Sequence, residues 1–312
     1  MGGRRVAVLI PCRDEATTVA TVVADFAAAL PQACIYVYDN GSTDDTADRA
    51  RAAGAVVRDV EIPGKGNVVR RMFADVEADV YVLVDGDATY DAGVAPALVS
   101  GVLDEGRDLV NASRRPEGDL AYRAGHELGN RMLAGLVSSM FARPVGDILS
   151  GYKACSRRLV KSFPAVSGGF EIETELMVHA LEVSAPIAEV PCRYIERPPG
   201  SHSKLATYRD GTRILRTIMS LVRQGRPLAF FSAIGLLLLA VGVGFGIPVL
   251  ITFAHTHLVP RLPTAVLSTG LVILAALSFT AGLLLDTVTR ARREQRVLAY
   301  LAVPGPLAAT GE

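Results

Sequence analysis

Two long apolar segments near the carboxyl end restrict the fold of this chain more than any other feature. Residues 228–253 and 264–285 contain no Asp, Glu, Lys or Arg. As α-helices they would measure roughly 39 and 33 Å at about 1.5 Å per residue, which is enough to cross a bilayer. Because the segment between them is short, the sequence predicts a two-helix transmembrane hairpin over residues 228–289, behind a water-soluble domain.

Arginines flank the predicted hairpin on both sides. They are Arg213, Arg216, Arg223 and Arg226 before it and Arg290, Arg292, Arg293 and Arg296 after it. Basic residues accumulate on the cytoplasmic side of membrane helices, so both ends of the hairpin and the preceding domain are predicted to face the cytoplasm. The sequence thus predicts a multi-pass protein of the cytoplasmic membrane, with a domain over residues 1–204 and a cytoplasmic tail over residues 290–312.

The segment between the domain and the hairpin is basic and amphipathic. Over residues 205–227, apolar side chains such as Leu205, Ile214 and Ile218 are interspersed with arginines. A helix of this kind can lie in the membrane interface, with its arginines near lipid phosphates. We therefore predict a juxtamembrane amphipathic helix here, with membrane lipid as a partner.

The first part of the chain alternates between strand and helix patterns. Apolar runs at residues 6–10, 35–38, 55–60 and 80–84 are typical of buried strands, and helical segments separate them. Elements that alternate in this way form a parallel sheet with right-handed crossovers. Beyond residue 108 the pattern changes to α+β, so the prediction is an α/β domain.

Acidic side chains follow three of these predicted strands. Asp14 and Glu15 follow the first strand, Asp39 ends the second, and Asp85 and Asp87 follow the fourth. Open α/β sheets bind ligands at the carboxyl ends of their strands, and carboxylates suit Mg²⁺ or Mn²⁺, which bind diphosphates. Taken singly, each of these residues could be a helix cap or part of a turn. Together they indicate a crevice for a nucleotide.

The overall composition narrows the class of partner. Basic and acidic residues each number 32, whereas nucleic-acid-binding domains usually carry a basic excess. No nucleic-acid partner is therefore predicted. The four cysteines are scattered without metal-ligand spacing, which favours buried thiols in a reducing compartment.

Six sequence blocks carry a resemblance to a known family. They are VLIPCRDE, VYDNGSTDDTADRA, GKGNVVRRM, VYVLVDGDATY, DILSGYKACSRR and FEIETELMVHA. Together they resemble the family-2 glycosyltransferases, which have a GT-A fold. Within that family the chain is similar to the polyprenyl-phosphate sugar synthases, such as dolichol-phosphate mannose synthase and bactoprenol glucosyltransferase. The resemblance covers nearly the whole chain.

This resemblance implies transfer of a hexose, with inversion, from a UDP- or GDP-linked sugar to a polyprenyl phosphate of the undecaprenyl or dolichyl type. The residues implied for the nucleotide-sugar are Pro11, Glu15, Asp39, Lys65 and Asp85. Asp85 and Asp87 would hold Mg²⁺ or Mn²⁺, and the candidate catalytic residues are Asp87 and Asp147. The candidates for the acceptor phosphate are Arg114, Arg115, Arg131, Lys204, Arg209 and Arg213.

The chemistry of the acceptor decides whether a general base is needed. The second pKa of a phosphate monoester is near ~6, so such an acceptor is already mostly anionic at neutral pH and needs cations around it. A sugar hydroxyl would instead require a base. Asp147, Glu171 and Glu173 are the carboxylates considered for that role.

The sequence departs from the family pattern at two places. Asn40 stands where the family often has a second aspartate, and Thr89 stands near the position of a metal-side glutamine in archaeal mannose synthases. Gly242 and Gly246 lie one helical turn apart, which permits close packing either within the hairpin or between copies in a homo-oligomer.

Two other functions fit parts of the sequence. One is a glycosyltransferase that acts on a sugar hydroxyl of a lipid-linked or cell-envelope glycan. The other is a catalytically silent, membrane-anchored binding protein, against which the intact acidic pair argues. A processive polysaccharide synthase is disfavoured, because its Gln-x-x-Arg-Trp motif needs a tryptophan and the chain has none.

Overall fold

A computed structural model describes residues 3–116, 124–169, 171–195 and 225–306. Three predicted acceptor residues, Lys204, Arg209 and Arg213, lie outside this part of the chain, as does almost all of the predicted juxtamembrane helix. Contacts divide the chain into two compact units. One comprises Met1–Ile214 together with Gln295–Glu312, and the other comprises Leu215–Glu294.

The first unit is built on a seven-stranded mixed sheet with helices between the strands. The strands, in chain order, are β1 (Val6–Cys12), β2 (Cys34–Asp39), β3 (Val56–Asp59), β4 (Val80–Leu83), β5 (Leu109–Pro116), β6 (Lys153–Ser156) and β7 (Ile187–Tyr194). The helices of this unit are α1 (Val19–Ala29), α2 (Thr46–Ala52), α3 (Lys65–Asp75), α4 (Ala95–Leu103), α5 (Ala124–Phe141), α6 (Arg157–Ser162) and α7 (Ile172–Glu182). The strand order is β3-β2-β1-β4-β6-β5-β7.

The first four strands run parallel, as the alternation of strands and helices predicts. Strand β1 pairs with both β2 and β4, and β2 pairs with β3. Strand β4 is buried at every position, which explains its unbroken apolar sequence. The carboxyl ends of these strands therefore meet at one edge of the sheet, and the acidic residues follow them there.

Strand β6 runs antiparallel between β4 and β5 and makes the sheet mixed. Its partner residues include Leu83 on β4 and Asn111 on β5, both in register with Lys153. On the far side of β5, strand β7 pairs in parallel over eight residues. Strand β6 thus joins the parallel half of the sheet, β1 to β4, to strands β5 and β7.

The second unit contains most of two long helices, α8 (Pro227–Thr256) and α9 (Leu262–Leu301). Both are long and apolar enough to cross a membrane, and 11% of the most apolar window of each is buried. In α8, Gly242 and Gly246 approach α9: a Cβ on Gly242 would lie 3.0 Å from Leu271 Cβ, and one on Gly246 would lie 2.7 Å from Ser268 Oγ. Both glycines thus serve packing within the hairpin.

Helix α9 continues far beyond its predicted membrane span, and its last residues belong to the first unit. Tyr300 donates a hydrogen bond to the fully buried Asp108, which also accepts two from Arg158, at 2.6 Å each. The Arg158 guanidinium lies 4.6 Å from the centre of the Tyr300 ring, and Arg296 pairs with Glu182. We call this contact the C-terminal anchor, formed by Arg296 and Tyr300.

Replacing Tyr300 with phenylalanine is expected to lower the free energy of unfolding by about 1–2 kcal/mol. The change keeps the ring but leaves Asp108, a buried carboxylate, with one donor fewer. Thermal melting followed by circular dichroism would measure the loss. Tyr152→Phe is the matched control, because the buried Tyr152 hydroxyl has no partner among the described residues. An equal loss in both variants would contradict the role given to Tyr300.

Candidate active site

The acidic residues of the predicted donor crevice lie together at the sheet edge. Asp39, the last residue of β2, is in register with Cys12 of β1, and its carboxylate accepts from the Ser42 main chain at 3.2 Å. Glu15 is 8% exposed. Thr18 donates to the Gly86 carbonyl at 2.7 Å and to Glu15 Oε2 at 3.3 Å, so Glu15 adjoins the turn that carries Asp85 and Asp87.

Asp85 is ion-paired with Lys65, and Lys65 also pairs with Glu173. Burial alone would lower the pKa of Lys65, but the attraction of the two carboxylates raises it above its usual value. Burial raises the pKa of Glu173 in spite of its pairing with Lys65. Lys65, the first residue of α3, thus bridges Asp85 and Glu173, an early residue of α7. Pro11, in β1, is partly buried at the same edge.

Asp87 is held by Thr89. The hydroxyl of Thr89 donates to Asp87 Oδ1 at 2.6 Å, and its main-chain N–H donates to the same oxygen at 3.2 Å. Both residues are buried, at 4% and 1% exposure. Thr89, which stands near the position of the family's metal-side glutamine, therefore orients the Asp87 carboxylate.

The donor set at Asp85 and Asp87 suits a divalent cation of the Mg²⁺ type. No cluster of three or more His, Cys, Asp and Glu that could hold a metal occurs among the described residues. Mg²⁺ is commonly bound by one or two carboxylates together with substrate phosphates and water, rather than by a full cage of protein ligands. The carboxylates of Asp85 and Asp87 are therefore enough protein ligands for a cation of this type.

Asn40 has a structural role that a carboxylate could not fill. Its amide nitrogen donates to the carbonyls of Val60 and Ile62 at 2.9 Å each, and its oxygen accepts from the Gly64 main chain at 2.7 Å. The side chain thus ties the end of β2 to the segment that leads into α3. An aspartate has no N–H to donate, so the departure from the family pattern follows from these contacts.

A second group of site residues surrounds a cavity of about 620 Å³ beside the carboxyl end of β5. Three predicted acceptor residues, Arg114, Arg115 and Arg131, line it. The remaining lining residues are Ser113, Asn130, Ala134, Gly135, Ser138, Val145, Gly146, Asp147 and Glu189. The structure thus places three arginines, distant in sequence from the acidic edge, around one opening.

Asp147 lies in the wall of this cavity and is saturated with donors. Arg114 donates to it from Nε at 2.7 Å, from Nη2 at 2.8 Å and from its main-chain nitrogen at 3.1 Å. Asn130 adds a fourth hydrogen bond at 3.1 Å. Burial opposes the charged form, but the bonds from Arg114 prevail and lower the pKa of Asp147. Asp147 is therefore a poor proton acceptor and a firm support for the Arg114 guanidinium.

Two tyrosines connect the acidic edge with the arginine cavity. The Tyr90 hydroxyl accepts from the Gly151 main chain at 2.8 Å, and its ring centre lies 5.2 Å from that of Tyr194. The Arg114 guanidinium lies 5.5 Å from the centre of the Tyr194 ring. Burial raises the pKa of Tyr90 well above its usual value, so its hydroxyl stays protonated.

The sequence reasoning missed three polar residues near the cavity. Asn111, Asn130 and Lys153 are buried, and each takes part in hydrogen bonds that lead to Asp147 or its neighbours. The signal for Lys153 was present, since a lysine that follows Tyr152 and begins a short, fully buried strand is unusual. No local signal marked the two asparagines, whose contacts join residues far apart in the sequence.

Comparison with known proteins assigns the fold and the family. The sequence model described as "Glycosyl transferase family 2" matches residues 7–162. The glycosyltransferase AglJ of Haloferax volcanii is 32% identical over 295 residues, which is 93% of this chain and 95% of that protein. The dolichyl-phosphate hexose transferase of the same organism is 27% identical over 220 residues, 70% of this chain and 95% of that protein.

Solved structures agree with this assignment. The crystal structure of Mycobacterium tuberculosis glucosyl-3-phosphoglycerate synthase superposes with a TM-score of 0.57 and 28% identity, covering 72% of this chain and 81% of that one. The same synthase has been crystallised with Mn²⁺, UDP-glucose and glycerol 3-phosphate. The mixed α/β sheet of this chain, which superposes on these structures, has the GT-A fold. The chain belongs to glycosyl transferase family 2 and is a glycosyltransferase.

Proposed function

We propose that the protein is a membrane-bound, inverting glycosyltransferase that moves a hexose from a UDP- or GDP-linked sugar to a polyprenyl phosphate. The donor would bind at the acidic edge, through Pro11, Glu15, Asp39, Lys65 and Asp85. The acceptor phosphate would enter the arginine cavity. Names of relatives support this proposal, since a dolichyl-phosphate hexose transferase is among them.

The observation that carries the proposal is the composition of the cavity wall. Three arginines line it, and its buried carboxylate, Asp147, accepts four hydrogen bonds and has a lowered pKa. A hydroxyl acceptor needs a base, whereas a phosphate monoester needs cations. Arginines outnumber carboxylates on this wall, and the second carboxylate, Glu189, is exposed and accepts a hydrogen bond from the Gly146 main chain at 2.9 Å. With its four donors, Asp147 fits the role of a positioning residue for Arg114 better than that of a base.

On the donor side, Asp85 and Asp87 would hold Mg²⁺ or Mn²⁺. When bound there, the cation would neutralise charge on the diphosphate leaving group. Thr89 keeps the Asp87 carboxylate in one orientation. Lys65 supplies a positive charge beside Asp85 and is itself held by Glu173.

The transfer would be a single displacement. An oxygen of the acceptor phosphate attacks the anomeric carbon, the bond from that carbon to the donor diphosphate breaks, and the configuration inverts. Arg114, Arg115 and Arg131 would bring the anionic acceptor close to the anionic donor, which would otherwise repel it. No proton has to be removed from the attacking oxygen at neutral pH.

Membrane anchoring would suit an acceptor with a long hydrocarbon chain. Helices α8 and α9 would span the cytoplasmic membrane. The arginines that flank the hairpin favour a cytoplasmic location for both of its ends, and so for the catalytic unit. The segment 205–227, with Arg209 and Arg213, and the preceding Lys204 would then lie near the lipid headgroups. The domain boundaries and the acceptor roles of these three residues stay predictions.

A direct assay tests the proposal. The purified full-length protein is incubated with UDP-glucose, UDP-galactose or GDP-mannose and either undecaprenyl phosphate or a lipid-linked sugar, and the lipid products are identified by mass spectrometry. A polyprenyl-phosphate hexose is the expected product, and EDTA is expected to abolish it. Product on the lipid-linked sugar alone would favour the hydroxyl-acceptor rival. No product with any pair would favour the silent binding protein.

Replacing Arg114 with glutamine is expected to raise the KM for the polyprenyl phosphate by about 10- to 100-fold, the equivalent of losing one charge-assisted hydrogen bond. The KM for the nucleotide-sugar should change by less than about twofold, because Arg114 lines the cavity and its guanidinium is held there by Asp147. Arg49→Gln, an exposed arginine on α2, is the control. A selective loss of donor affinity in Arg114→Gln would contradict the assignment of the cavity.

A further inference from the structure

Lys153 is a buried lysine with no role in the transfer described above. It lies in β6, between β4 and β5, and its side chain is completely buried. Its ammonium donates to Asn111 Oδ1 at 2.6 Å. Within the described part of the chain no carboxylate lies within ion-pair distance of it, although buried lysines usually have one. Burying an ammonium group without a carboxylate partner destabilises the fold, so a lysine at this position in the sheet indicates a role other than packing.

The contacts of Lys153 lead by short steps to the arginine cavity. Asn111, the partner of Lys153, donates from its amide nitrogen to the main-chain carbonyl of Asp147 at 2.7 Å. Asp147 in turn holds Arg114 through two side-chain hydrogen bonds of 2.7 and 2.8 Å. The four residues come from β5, β6 and the loop before β6, so the path connects three segments around one wall of the cavity.

We propose that Lys153 is a positioning residue for the acceptor: its ammonium fixes Asn111, Asn111 fixes the Asp147 loop, and Asp147 presents the Arg114 guanidinium to the acceptor phosphate. This inference rests on the proposed function. Without Lys153, Asn111 would be free to turn its amide, and the carbonyl of Asp147 would lose its donor. The Arg114 side chain would still be present, but its guanidinium would sample more orientations.

The electrostatics around Lys153 agree with this role. Burial lowers its pKa to about 8, and Arg114 acts in the same direction, whereas Asp147, Glu173 and Cys155 act against it. A group with this pKa is mostly protonated at pH 7. In that form the ammonium has three N–H donors, one of which goes to Asn111.

Replacing Lys153 with methionine in the full-length protein tests the proposal. The KM for undecaprenyl phosphate is expected to rise by about tenfold, while the nucleotide-sugar KM and kcat change by less than about twofold. Lys153→Gln, which keeps an N–H donor for Asn111, is expected to recover most of the acceptor affinity. A merely structural role would lower the melting temperature and the active fraction without separating the two KM values.

A double-variant cycle makes the test sharper. If Lys153 acts through Arg114, adding Lys153→Met to Arg114→Gln should raise the acceptor KM by less than about twofold more. Effects that multiply in the double variant, or an unchanged acceptor KM in Lys153→Met, would overturn the proposal. Should Lys153→Met fail to fold, Asn111→Ala breaks the same path and is judged by the same criteria.

The two proposals fail in different ways. Wild-type turnover with undecaprenyl phosphate, measured in the same assay, tests the proposed function alone. The ratio of variant to wild-type acceptor KM tests Lys153, and it is measured on whichever lipid acceptor the wild-type protein uses. If the wild-type protein turns over polyprenyl phosphate well and the ratio of variant to wild-type acceptor KM is close to one, the role of Lys153 is disproved. The proposed function would still stand.

Discussion

Replacing Asp87 with alanine is expected to lower the rate of hexose transfer by about 10³-fold or more, with the fold preserved. Asp87 is nearly buried, and its carboxylate accepts two hydrogen bonds from Thr89 at the end of the central strand β4. Under the proposed function, removing it would take away one of the two carboxylates that hold the cation and so weaken neutralisation of the leaving diphosphate. Electrostatic stabilisation of that kind is commonly worth several kcal/mol in the transition state.

Transfer rates at several Mn²⁺ and Mg²⁺ concentrations, together with calorimetric binding of the nucleotide-sugar, would measure this effect. Asp25→Ala removes an exposed carboxylate from α1 and should behave as the wild type. Circular dichroism and co-sedimentation with vesicles would verify folding and membrane association. If Asp87→Ala keeps more than about a tenth of wild-type turnover, the mechanism proposed here is wrong.

A single methyl group at Gly151 is expected to reduce transfer by about 100-fold without removing any functional group. A Cβ at this position would overlap with the Asp85 carboxylate oxygens and would lie 2.8 Å from Asp85 Cγ. The obstacle is the end of a side chain, so the carboxylate can turn away at little cost to the fold. Asp85 would then leave both Lys65 and the donor.

Gly151→Ala should raise the KM for the nucleotide-sugar and the metal concentration needed for half-maximal activity, with a melting temperature within a few degrees of the wild type. Gly270→Ala is the matched control, because a Cβ at Gly270 meets nothing within 4 Å. A large fall in melting temperature with normal donor KM would show that Gly151 serves the packing of the sheet rather than the placement of Asp85.

The acidic edge could be predicted from the sequence because the pattern that places its residues is local. Three of the four strands in the first half end within a few residues of the acidic side chains, and parallel pairing brings such ends together. Asp39 and Asp87 therefore reach one edge once the alternation of strands and helices is recognised. The contacts of Lys65 were harder to predict from the sequence, because its partner Glu173 lies 108 residues further along the chain, on α7.

For the arginine cavity, the sequence predicted the individual arginines but not that they line one opening. Arg114 and Arg131 were expected to bind the acceptor by resemblance, but their common cavity depends on the antiparallel insertion of β6 and on the loop that carries Asp147. That insertion pairs residues 42 to 46 positions apart on β5 and 70 to 76 positions apart on β4, and no short-range pattern specifies such pairing. For the same reason the link from Lys153 to Asn111 was missed.

The extent of the last helix was also beyond local reasoning. The apolar run ends at Leu285, where Asp286 begins a charged stretch, so the sequence suggested a tail from residue 290. The helix nevertheless continues to Leu301, because no proline interrupts it before Pro304. Membrane-spanning length and helix length are separate quantities, and hydropathy reports only the first.

The C-terminal anchor gives the catalytic unit a discontinuous chain. Residues Gln295–Glu312 belong to the same unit as Met1–Ile214, so the hairpin is an insertion within that unit rather than an appendage at its end. A soluble fragment cut before Pro227 would lack Tyr300 and expose the buried Asp108 together with Arg158. Grafting Gln295–Glu312 onto such a fragment through a flexible linker would restore the unit as the chain itself assembles it.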